Sequence, residues 1–176
     1  TSVPDVCAWQ AREKQKQKRA AAVSQYSFRA TVHSRGKGRS ATASAAYRAG
    51  EKILDERTGL TFDYRKKPVE SARIFAPEHA GAWAENRAEL WNKVELAEKR
   101  KDAQVCREIL LALPCELTAE QREALVHDWA KRELVGRGMI ADVCIHAPDP
   151  GGDERNFHAH ILVTTRNLAD DGEGFA

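Results

Sequence analysis

The sequence predicts an α+β domain: an antiparallel sheet with its helices packed mainly on one face. Three observations predict it. Runs rich in strand-forming residues, several with clear alternation, recur at residues 26–33, 106–113, 139–146 and 157–165. Helix-prone segments separate them, at residues 40–56, 78–102 and 119–134. The last two strands follow one another across the turn-rich residues 148–156, which describes a hairpin.

Taken in order, residues 1–22 are polar, weakly periodic and crowded with Arg12, Lys14, Lys16, Lys18 and Arg19, so they read as a separate basic extension. Residues 23–176 are the right length for one domain with its own core. In the first strand Tyr26, Phe28, Ala30 and Val32 share one face, and Ser27, Arg29, Thr31 and His33 share the other. Ser34-Arg35-Gly36-Lys37-Gly38-Arg39 is a basic, turn-rich loop, and Ser40 is an N-cap for an alanine-rich helix reaching about Glu56. Residues 55–67 break into loop with a turn at Thr58-Gly59, and residues 72–75 are a short strand. The spacing of Trp83, Leu90, Trp91, Val94 and Ala97 predicts one long amphipathic helix over 78–102. The strand at 106–113 is closed by Pro114. Thr118-Ala119-Glu120-Gln121 has the form of a capping box, and Leu125, Val126, Trp129, Ala130 and Leu134 line one face of the helix it opens. Gly136 and Gly138 end that helix.

Hydrophobic residues at 42% and charged residues at 31% exclude a disordered chain. The net charge of +2 does not by itself imply a nucleic-acid partner. Cys7, Cys106, Cys115 and Cys144 lack paired CxxC spacing, so they are expected to be free thiols in a reducing cytoplasm. No apolar stretch approaches a membrane span, and residues 1–20 lack the apolar core of a signal peptide. The chain is expected to be a fragment of a longer protein.

The chemistry concentrates in the last two strands. His158 and His160 must share a face, because side chains alternate along a strand, and His146 ends the preceding strand. A hairpin register brings the three imidazoles together on the face opposite Phe157, Ala159, Ile161 and Val163, expected to be free of helices. Three neutral imidazoles leave coordination positions open, as in a catalytic metal site. The residues alone also allow three solvated surface histidines. Tyr47 is a lone aromatic among small residues directly after the basic loop, either a core tyrosine or a nucleophile.

Ser34-Arg35-Gly36-Lys37-Gly38-Arg39-Ser40-Ala41, Ala45-Ala46-Tyr47-Arg48-Ala49-Gly50-Glu51-Lys52, Asp55-Glu56-Arg57-Thr58-Gly59-Leu60, Ala112-Leu113-Pro114, Ile145-His146 and Phe157-His158-Ala159-His160 occur in that order. From about Tyr26 onward the chain resembles the N-terminal relaxase domain of MobA/MobL-type plasmid mobilisation proteins, within the HUH endonuclease superfamily. The resemblance implies an HUH relaxase-like fold with the histidines on central strands. It implies an enzyme that nicks one DNA strand at an origin of transfer. Tyr47 would attack the scissile phosphate, leaving a 5′-phosphotyrosine and a free 3′-hydroxyl, and the strand would later be rejoined.

By the same resemblance His146, His158 and His160 hold a divalent ion, Mn²⁺ in preference to Mg²⁺ because imidazole is a softer ligand than oxygen. Glu108 matches a strand carboxylate that accepts a proton or orients a metal histidine; an ordinary ion-paired glutamate is the other reading. Members often carry a second acidic residue where this chain has Leu110. Arg29, Arg35, Lys37, Arg39 and Arg48, with Arg65-Lys66-Lys67, are expected as a group to track the DNA backbone. Single-stranded plasmid DNA with an adjacent hairpin, accessory relaxosome proteins and a coupling protein are the implied partners. A rolling-circle replication initiator shares the chemistry, but there the tyrosine usually follows the histidines, and Tyr47 precedes them. A non-catalytic zinc module that binds nucleic acid is the remaining alternative, with Cys144 as its fourth ligand.

Overall fold

The computed structural model describes residues 27–176; the expectations for residues 1–22, Cys7 and Tyr26 lie outside the described residues. Along the chain come β1 (Phe28–Ser34), α1 (Ala41–Ala49), β2 (Lys52–Asp55), β3 (Leu60–Asp63) and β4 (Ser71–Phe75). Then follow α2 (Arg87–Ala97), β5 (Gln104–Ala112), α3 (Ala119–Glu133), β6 (Ala141–His146) and β7 (His158–Val163). Five strands form one antiparallel sheet in the order β1-β5-β7-β6-β4. The histidine-bearing strands β6 and β7 are therefore interior strands.

Period-2 alternation separates two cores. On one face Val143, Ile145, Ala159, Ile161 and Val163 pack with Val126, Ala130 and Leu134 on and just beyond α3. Cys106 and Leu162 pack on the other side with Ala41, Ala45 and Ala46 of α1 and Leu90, Trp91 and Val94 of α2. Leu90 and Trp91 are fully buried, each contributing about 2–3 kcal/mol of transfer free energy. The helices thus lie mainly on one face, as expected, but it is the face that carries the histidines. The expectation of a helix-free histidine face is corrected. That face changes along its length: Leu162 lies opposite buried Asp142 toward one end, His160 opposite buried Cys144 in the middle, and His158 opposite His146 at the other end.

Two helices are shorter than their patterns suggest. Helix α1 stops at Ala49 because Gly50 adopts the left-handed conformation (φ 65°), its amide donating to the Ala46 carbonyl. The residues expected to continue it instead form β2, which pairs with β3 from the expected loop to make a hairpin that the sequence did not reveal. Asp55 organises the turn, accepting from the Thr58 amide through Oδ1 and from the Gly59 amide through its carbonyl. The expected long helix over 78–102 is a 3-10 turn, Ala82–Glu85, followed by α2. Asn86 interrupts it, accepting the amides of Ala88 and Glu89 as a new N-cap. Helix α3 begins with the expected capping box: Thr118 Oγ1 accepts from Gln121 N, and Gln121 Oε1 from Thr118 N.

Candidate active site

Cross-strand pairing assembles the histidines. His146 lies opposite His158, and Cys144 opposite His160. The ring centroids are 5.5 Å apart for His146–His158, 5.3 Å for His146–His160 and 5.2 Å for His158–His160. Two rings are held through Nδ1: His158 donates to the Asn156 carbonyl (2.8 Å), and His160 to Glu108 Oε1 (2.7 Å). A neutral imidazole that donates through Nδ1 keeps a lone pair on Nε2. Nε2 of His146 is buried without a hydrogen-bond partner. Burial first, then Lys67, the two neighbouring histidines and Arg48, push the His146 pKa down to about 3, so its imidazole is neutral at physiological pH.

No group of three or more His, Cys, Asp or Glu side chains among the described residues is set as a ready-made metal cage. The donor chemistry of the trio nevertheless fits a divalent ion: three imidazoles, one with an orphaned Nε2 and one oriented by a carboxylate behind it. Cys144, the fourth ligand of the zinc alternative, is buried with Sγ 3.8 Å from Asp142 Oδ1, and burial and Asp142 push its thiol well above the ordinary range. Cys106 and Cys144 are free, buried thiols, as the sequence suggested.

Glu108 joins the sheet to α1. Besides His160 it accepts from Arg48 Nε (2.6 Å) and from His33 Nε2 (3.0 Å). His33 is 1% exposed, and its Nδ1 lies 2.9 Å from Ser44 Oγ on α1. The sequence reading placed His33 on a strand face but gave it no role. Its signal is nonlocal: the register Thr31↔Glu108 and His33↔Cys106 brings it to the carboxylate. Burial raises the Glu108 pKa, but hydrogen bonds from His160, His33 and Arg48 outweigh it and hold the carboxyl well below the usual range. Its stabilising contribution is therefore present above the unfolded value near 4.5 and is lost as pH falls below it. Glu108→Gln is expected to lower stability at neutral pH by about 1–3 kcal/mol, because Arg48 loses its charged partner. The variant should also show a shallower loss of stability between about pH 5 and pH 2 in urea titrations. Equal slopes in the two proteins would remove Glu108 as the acid-sensitive group.

Tyr47, on α1, is 42% exposed. It lines an open cleft of ≈ 550 Å³ together with Arg48, Lys67, Glu70, Asp149 and the three histidines. The structure thus brings together Tyr47, Arg48, His146, His158 and His160 around one space, with Glu108 bonded to two of them. Arg29 is exposed on edge strand β1, opposite Leu110, which in turn faces His160. Lys37 and Arg39 are exposed in the loop before α1, and Arg39 Nη1 reaches within 3.3 Å of His33 Nε2. Arg35 departs from the expected DNA track. It bonds to Glu95 Oε2 (2.7 Å) and to the carbonyls of Glu95, Glu98 and Arg100, so it anchors this loop to α2 and the turn beyond it. Three carbonyls and a buried carboxylate saturate its guanidinium.

The model of the MobA/MobL family matches residues 39–176. The mobilization protein MobL of Acidithiobacillus ferridurans is 43% identical over 169 residues, covering 84% of this chain and 44% of that protein. The conjugal transfer protein TraA of Agrobacterium fabrum (strain C58) is 41% identical over 158 residues, covering 84% of this chain and 14% of that protein. The chain therefore spans less than half the length of these curated relatives. A solved structure described as the molecular basis of vancomycin resistance transfer in Staphylococcus aureus superposes with a TM-score of 0.79 at 35% identity. It covers 86% of this chain and 75% of that one. On the match of its family model and the identity to its relatives, the chain belongs to the MobA/MobL family.

Proposed function

We propose that this chain is a relaxase domain that nicks one strand of plasmid DNA at an origin of transfer by tyrosine transesterification. The observation that carries the reading is the meeting of Tyr47 with His146, His158 and His160 in one open cleft. The Tyr47 phenolic oxygen forms a bond to the scissile phosphorus as the bond from phosphorus to the 3′ oxygen breaks. The proton lost by the phenol is balanced by the one the 3′ oxygen takes up, giving a free 3′-hydroxyl and a 5′-phosphotyrosine. Attack by a 3′-hydroxyl on that linkage regenerates the phenol and rejoins the strand. His146, His158 and His160 would hold a divalent ion, Mn²⁺ in preference to Mg²⁺, which when bound supplies positive charge to offset that developing on the phosphate oxygens. Glu108 orients His160 and holds Arg48 at the base of the cleft.

Single-stranded DNA at the origin, with an adjacent hairpin, is the proposed substrate. Arg29, Lys37, Arg39 and Arg48 would supply the salt-sensitive phosphate contacts. Relaxosome proteins and a coupling protein are the proposed partners of the whole protein. No helix among the described residues is long and apolar enough to cross a membrane. The test is incubation of the protein with single-stranded oligonucleotides tiled across its own mobilisation region and Mn²⁺. The expected product is a protein–DNA band that survives detergent, carries the DNA on Tyr47 by peptide mass spectrometry, and is lost with chelator. DNA bound tightly but never captured covalently would overturn the reading.

A further inference from the structure

Lys67, in the loop between β3 and β4, makes contacts that a plain phosphate-binding lysine does not. Its Nζ lies 3.7 Å from the centroid of the Tyr47 ring and donates to the Tyr47 carbonyl at 3.2 Å. An ammonium over an aromatic face is attracted by the ring quadrupole, and one at the last turn of a helix also satisfies a free carbonyl. Tyr64 meets the same ring edge-on with centroids 5.1 Å apart, and the Arg48 guanidinium lies 4.9 Å from its centroid. Although Tyr47 is exposed, its ring is therefore contacted by three side chains.

The backbone is built to deliver Lys67 to that place. The Tyr64 amide donates to the Glu51 carbonyl (3.0 Å), and the Lys67 amide to the Tyr64 carbonyl (2.9 Å). At Gly50 a Cβ would stand 2.8 Å from the Lys67 carbonyl oxygen and 3.0 Å from Val69 Cγ2. The left-handed glycine that ends α1 is thus also what lets this loop lie against the helix end. Its neighbours in the same basic run are placed differently. Arg65 pairs with Asp63 (2.7 Å), and Lys66 is exposed, whereas Lys67 is half-buried in the histidine cleft.

We propose that Lys67 is a positioning residue for Tyr47, clamping the face of its ring so that the phenol is held in one orientation toward the histidine cleft. This role rests on Tyr47 being the nucleophile. It differs from membership of an interchangeable set of phosphate contacts, because the lysine acts through the tyrosine and its effect falls on rate rather than on DNA affinity.

The test uses the full chain with Lys67→Met, which keeps an unbranched stem of similar length without the charge, and Lys67→Arg, which keeps the charge. Three quantities are measured: the single-turnover rate of covalent capture at saturating oligonucleotide, the affinity for that oligonucleotide, and the fluorine NMR signal of fluorotyrosine at position 47 without DNA. A reacting group released from its oriented position is expected to slow capture about tenfold or more in Lys67→Met, with affinity changed by less than about twofold. The fluorine resonance should move toward that of the free amino acid, and Lys67→Arg should restore much of both. Weaker binding with an unchanged saturating rate would overturn the proposal in favour of a phosphate contact, and an unmoved fluorine signal would overturn the clamp itself. If the wild-type chain captures DNA through another tyrosine, the nucleophile reading fails and the positioning role fails with it, whereas a Tyr47 adduct indifferent to Lys67 overturns this proposal alone.

Discussion

Tyr47→Phe is expected to abolish covalent capture of DNA while leaving folding and DNA affinity intact. Phenylalanine keeps the ring, and with it the contacts to Lys67, Arg48 and Tyr64. The residue is substantially exposed, so losing one hydroxyl should change stability by no more than about 0.5 kcal/mol. What disappears is the atom that bonds to phosphorus. Removing a nucleophile of this kind costs about 10⁴-fold or more in rate, which places the variant below detection in a gel assay. The chain has three tyrosines, Tyr26, Tyr47 and Tyr64, so the controls are few. Tyr64→Phe should retain capture, because Tyr64 does not line the histidine cleft and serves as a packing partner of Tyr47. Adduct persisting in Tyr47→Phe would move the nucleophile to one of the other two.

Asp142→Ala is expected to be the most destabilising single change near the site, for reasons unrelated to chemistry. Asp142 is fully buried on β6 and receives both Nε and Nη2 of Arg87, at 2.8 and 2.9 Å, together with Trp91 Nε1 at 2.9 Å. Arg87 also pairs with Glu51, just after the end of α1. This node ties the end of α1, the start of α2 and the strand of His146 together. Deleting the carboxylate leaves a buried guanidinium with only the half-exposed Glu51 as its charge partner, a loss of about 3–5 kcal/mol. For a domain of this size that corresponds to a fall of about 10 °C or more in thermal midpoint. The exposed pair Arg65–Asp63 provides the contrast: Asp63→Ala should leave the thermal midpoint almost unchanged, because water screens that pair. Calorimetry of the two variants beside the wild type checks both values, and similar midpoints would show that the buried node does not hold the helices to the sheet.

The elements that were legible in the sequence are those whose signals are local. His158 and His160 share a face by alternation, Thr118 and Gln121 close their capping box within one turn, and the apolar set Ala159, Ile161 and Val163 lies on the opposite side of the sheet. The errors arose where a short-range pattern competed with an unseen stop. Alanine-rich composition favoured continuing α1 through residues that Gly50 turns into a hairpin, and the spacing of the tryptophans and leucines ran through the new cap at Asn86. Arg35 looked like its basic neighbours because charge alone does not reveal that Glu95 and three carbonyls await it.

By itself the sequence determined an α+β chain with three histidines and a tyrosine in a recognisable order, because alternation, capping and motif order are properties of adjacent residues. Only the tertiary structure decided that α1 and α2 cover the histidine face. It also decided that His33 and Arg48 meet His160 through Glu108, and that Lys67 lies on the ring of Tyr47. Those contacts join residues far apart in the chain. They depend on strand order, register and the close approach that Gly50 permits, none of which any single segment encodes.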